Sequence, residues 1–167
     1  VWVFALSAVA PWWVFGSLGR RMVRSGGGAA RLAVMSLMGL AVAGALSLAS
    51  ASVSVAAEWR VDDVGADLVV FHTLAIMLLA ASGFGGAAHL LATSAHGART
   101  GTLPTWVVVV GVVSAIGFLA SSIVGSTAGG DASEAAGVLG FGLWCLWILG
   151  VSHRMWNDIP TEVAAPS

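Results

Sequence analysis

The chain has 167 residues, 58% hydrophobic and only 9% charged, with a formal net charge of −1. Soluble domains carry roughly 25% charged residues, so this chain has too little charge to cover a water-facing surface, and the composition points to an integral membrane protein. The charge balance offers no basic surface to nucleic acid, and the single cysteine, Cys145, allows neither an intrachain disulfide nor a thiolate metal cluster.

A bilayer core takes about 20 apolar residues in helical form. Five runs meet or approach that length: residues 1–19 (interrupted by Pro11), 32–57, 67–92, 104–125 and 135–153. They are too long for the roughly ten-residue strands of a membrane barrel. Lipid leaves the helix as the other backbone form with every polar group satisfied internally. The expected fold is all-α: a transmembrane helical bundle of five spans over 1–153, followed by a polar tail over 154–167. The first run opens at Val1 with no basic stretch before it, so a cleavable signal peptide is not expected and more sequence is expected upstream.

The connections are short and polar. The first, GRRMVRSGGGAAR, carries Arg20, Arg21, Arg24 and Arg31; Arg99 lies between the third and fourth runs, and Arg154 follows the fifth. These segments share one side. The other side has Arg60, outnumbered by Glu58, Asp62, Asp63, Asp67, Asp131 and Glu134. Arginine on the cytoplasmic side orients membrane proteins, so the N-terminus as given is expected outside and the C-terminus in the cytoplasm, with the four arginines at 20–31 fixing topology and touching lipid headgroups. Trp59, Trp106 and Trp156 fall near the expected interfaces. The glycines at 26–28 follow no strand and precede no GK[ST], so a nucleotide phosphate loop is rejected.

At 100° per residue, Ser36, Gly39, Ala43, Ser47, Ser50, Ser54 and Ala57 form one stripe along the second run. Gly111, Ser114 and Ser121 share a face of the fourth with Phe118. Small residues let helices approach closely in lipid, so these residues, with Gly83 and Gly86, are read as packing seams; a hydroxyl-lined path for a small solute is the alternative. On the fifth run Gly142, Cys145, Leu149 and His153 share one face and Gly140, Trp144 and Trp147 another. Cys145 is expected as a small apolar filler.

The third run poses the chemical question. DLVVFHTLAIMLLAASGFGGAAHLLA holds His72 and His89, about 25 Å apart along a helix, so one haem or metal cannot bridge them. His72 lies toward the acidic side. His89 lies toward the arginine side, at a level it shares with His96 in the next loop and with His153. One reading is a haem b or proton-relay site built on His89 and His153; the other is neutral histidines hydrogen-bonded to a serine or a carbonyl. The second is favoured, so no cofactor and no catalysis are expected. The leading expectation is a structural or interaction bundle whose partners are the bilayer and another membrane protein or a second copy.

Two stretches add a resemblance. WWVFGSLGRRMVRSGGGAARLAVMSLMGLAVAGAL (12–46) resembles the second helix, basic loop and third helix of an uncharacterised family of bacterial multi-pass membrane proteins. GTLPTWVVVVGVVSAIGFLASSIV, followed by LGFGLWCLWILGVSHRM, resembles that family's Leu-Pro-x-Trp loop, penultimate helix and tryptophan-rich last helix. Arg20–Arg21, Leu103–Trp106 and Leu143–Trp144 carry it; Thr105 stands where the family often has a basic residue. The resemblance implies a six-helix protein of the bacterial inner membrane, with one helix before Val1 and no established activity to transfer.

Overall fold

The structure, a computed structural model, describes residues 27–60, 68–127 and 131–157. These fold into four helices and, among the described residues, no strand: α1 Gly27–Trp59, α2 Leu68–Thr100, α3 Thr105–Thr127 and α4 Asp131–Asn157. Each is long and apolar enough to cross a membrane. Four candidate spans therefore stand where five were expected; the first, over 1–19, lies outside the described residues, as do Arg20, Arg21, Arg24, Asp62, Asp63 and Asp67.

Contacts run in chain order, α1 on α2, α2 on α3 and α3 on α4, and all three pairs are antiparallel. Along α1–α2, Ser36 meets His89, Gly39 meets Gly85 and Ser50 meets Ala75. The first crossing is tight because it is built from glycine: a Cβ at Gly39 would lie 2.6 Å from the Gly85 carbonyl oxygen, and one at Gly85 would lie 2.6 Å from that of Gly39. Along α2–α3, Gly83 packs on Ser122, Gly86 on Phe118 and Ser94 at Gly111. Along α3–α4, Gly117 meets Gly140 and Val107 meets Gly150. Large apolar side chains turn outward instead, including Met38, Val69, Met77, Phe84, Ile116, Val138 and Leu149. The buried side chains, Leu40, Leu90, Val107, Trp147 and Val151 among them, gather toward the end that carries Arg31, Arg99 and Arg154.

The α2–α3 register has a further result. The Gly83–Ser122 contact places the end of α3, at Thr127, near residue 78 of α2. Residues 68–77 of α2, about 15 Å of helix, run on with α1 beside them and no α3 opposite.

The helices overrun the apolar runs. The largest correction is α2, which continues eight residues beyond the expected boundary at 92 and takes His96 out of the loop and into the helix. The threonine hydroxyls there are satisfied without leaving the helix by bonding back along it: Thr93 Oγ1 donates to His89 O at 2.9 Å and Thr100 Oγ1 to His96 O at 2.8 Å. Gly101, with φ of 65°, then ends it, a left-handed position that favours glycine. Leu103 folds back over Gly97, and the Pro104 carbonyl accepts from Val107 N at 3.0 Å to open α3. α4 likewise runs past 153 to Asn157. Cys145 is a second correction: it is exposed rather than an interior filler, because the face it shares with Gly142 and Leu149 turns away from α3.

Candidate functional site: a buried polar cluster around His89

Four helices converge where α2 carries His89, Thr93 and Ser94. Each is 1% exposed, and Ser36 from α1 is 3% exposed. The Ser36 hydroxyl lies 2.8 Å from His89 Nδ1 and 2.9 Å from Thr93 Oγ1. His89 Nδ1 is also 3.2 Å from the Ser36 carbonyl oxygen. Counting protons fixes every direction. Thr93 has one hydroxyl proton and donates it to His89 O, so toward Ser36 it accepts. Ser36 therefore gives its proton to Thr93 and accepts from the histidine. Nδ1 must then carry a hydrogen, which the Ser36 carbonyl, able only to accept, requires independently. In the neutral ring Nε2 is the nitrogen with the lone pair.

The other flank comes from α3 and α4. Trp147, fully buried, meets the His89 ring edge-on, with centroids 5.7 Å apart and planes at 87°. It reaches that depth because α3 carries Gly111 there: a Cβ would collide with Ser94 Oγ and sit 2.8 Å from Trp147 Nε1. Ser114 Oγ donates to Gly140 O at 2.7 Å, tying α3 to α4 beside the cluster.

Seven residues past His89, on the same face, His96 is 5% exposed, and its Nδ1 has no hydrogen-bond partner among the described residues; the same holds for Ser94 Oγ. His89 and His153 are held in different surroundings. His89 turns inward to Ser36 and Trp147, whereas His153 is exposed and lies 3.2 Å from Asn157 Nδ2. His72 is exposed at the opposite end, where it lines an open pocket with Ser54, Ala57, Glu58 and Leu68. Among the described residues no group of three or more His, Cys, Asp or Glu side chains could hold a metal ion.

The remaining residues of the small-residue stripes sit as follows. Ser50 Oγ donates across to Ala75 O at 2.7 Å, Ser54 Oγ back to Ser50 O at 3.1 Å, and Ala43 abuts Gly85. Ser47 is half-buried on the same stripe. Ser121 faces Gly137, whose Cβ would lie 2.9 Å from its hydroxyl. Thr93, Ser94 and Gly85 complete the cluster and were missed from sequence. The signal was present: Ser82, Gly86, His89, Thr93, His96 and Thr100 recur at alternating steps of four and three, the spacing of one helix face.

No family model matches the chain, and no characterised protein or solved structure gives a match. The four apolar helices are compatible with a membrane protein; the comparisons show neither the family resemblance nor a bacterial origin.

Proposed function

We propose that the chain is a multi-pass protein of a bacterial inner membrane with a structural or interaction role rather than a catalytic one. One observation carries this reading: the outside of the bundle is lined with large apolar side chains, while its tightest helix crossings are lined by glycine and serine. Val34, Met35 and Met38 of α1, Val69, Met77 and Phe84 of α2, Val109 and Ile116 of α3, and Val138 and Leu139 of α4 all face outward. The closest backbone approaches between helices are made at glycine, with serine hydroxyls bonding across beside them. In water such a surface far exceeds the few hundred Å² of apolar patch a soluble monomer exposes; in lipid it is the expected arrangement. The hydroxyls of Ser36, Ser50 and Ser114 are spent on neighbouring helices, which supports a packing role over a solute path. The end bearing Arg31, Arg99 and Arg154 is assigned to the cytoplasm.

Single cysteines at Thr102 and Arg60, in a Cys145→Ala background, test this in intact cells with a membrane-impermeant maleimide. Arg60→Cys reacts from outside, and Thr102→Cys reacts only after lysis. The reverse pattern overturns the orientation; release of the protein from membranes by alkaline carbonate overturns the membrane reading.

One observation favours a second reading, a haem or redox bundle. With Nδ1–H committed to Ser36, His89 has the second-shell bond that usually orients a metal-binding imidazole and leaves Nε2 as the ligand atom. Trp147 edge-on to the ring and the exposed position of His153 weigh toward the structural role. A Soret band in the purified protein that disappears in His89→Ala establishes the redox reading; a colourless, metal-free preparation removes it.

A further inference from the structure

We draw no further inference here: the strongest candidate, the open pocket at the acidic end of α1 and α2 lined by Ser54, Ala57, Glu58, Leu68 and His72, lies between the two ends of a connection, residues 61–67, that falls outside the described residues, so nothing in the structure shows what fills or covers it.

Discussion

His89 shows what a polar side chain requires in an apolar interior. Its N–H is split between the Ser36 hydroxyl at 2.8 Å and the Ser36 carbonyl at 3.2 Å, while Thr93 closes the proton order. Neighbouring helices in lipid gain only about 0.6 kcal/mol from a typical cross-helix hydrogen bond, with an upper range near 1.7. Ser36→Ala removes the hydroxyl and leaves the carbonyl as acceptor, so it is expected to destabilise the bundle by about 1 kcal/mol. In a double-mutant cycle with His89→Ala the coupling is expected at about 0.5–1.5 kcal/mol, read from SDS-induced unfolding in mixed micelles. Additive losses would show that the two side chains do not share this bond. The sequence singled out His89 and Ser36 separately, as a histidine toward the arginine side and as a seam serine. Their pairing was not legible, because it depends on the register between α1 and α2, which no single-helix projection contains. His72 makes the same point in reverse. It lies on the same helix as His89, yet it is exposed, because α3 ends before reaching its level.

At the scale of the helix, glycine has two opposite meanings here. Gly39 lies at a crossing where an added methyl would stand 2.6 Å from one backbone atom and 2.8 Å from another. Gly142 on α4 has nothing within 4 Å of such a methyl. Gly39→Ala is therefore expected to cost about 1–3 kcal/mol through forced separation of α1 from α2. Gly142→Ala is expected to stabilise by about 0.5–1 kcal/mol through helix propensity alone. The same unfolding measurement on the two variants checks both signs, and a neutral Gly39→Ala would mean the crossing is looser than described. The cores of all four described helices could be read from sequence, since apolar length tracks bilayer thickness. Their ends could not. Hydropathy falls at Thr93 and Ser94, but the helix continues because α1, α3 and α4 pack over that stretch and the threonine hydroxyl is satisfied within it. The stopping point is set by Gly101, a residue whose backbone freedom leaves no mark in a hydropathy profile.

For the molecule as a whole, the outward placement of its one cysteine offers a direct probe of the surrounding solvent. Cys145 sits mid-way along α4 and is exposed. A bilayer-soluble maleimide is expected to label it, and a charged, membrane-impermeant thiosulfonate is expected to leave it untouched until the protein is denatured. Equal labelling by both reagents would mean that water, not acyl chains, lies against this face. Cys145→Val is expected to change stability by less than about 0.5 kcal/mol, because no cavity opens at a surface site.

The unequal reach of the two helical hairpins would set a condition on any lipid around them. α1 and α2 continue together for about 15 Å beyond the level at which α3 turns back toward α4, and that extension bears apolar Val69, Val70, Leu74, Ile76 and Met77 on its exterior. A flat sheet of uniform thickness cannot match both shoulders of such a stepped outline. Either the protein leans or the acyl chains stretch on one flank and shorten on the other, at a fraction of a kcal/mol for each ångström of discrepancy. In a bilayer, such a step among the described helices would favour one acyl-chain length over another, through shape rather than through any single residue.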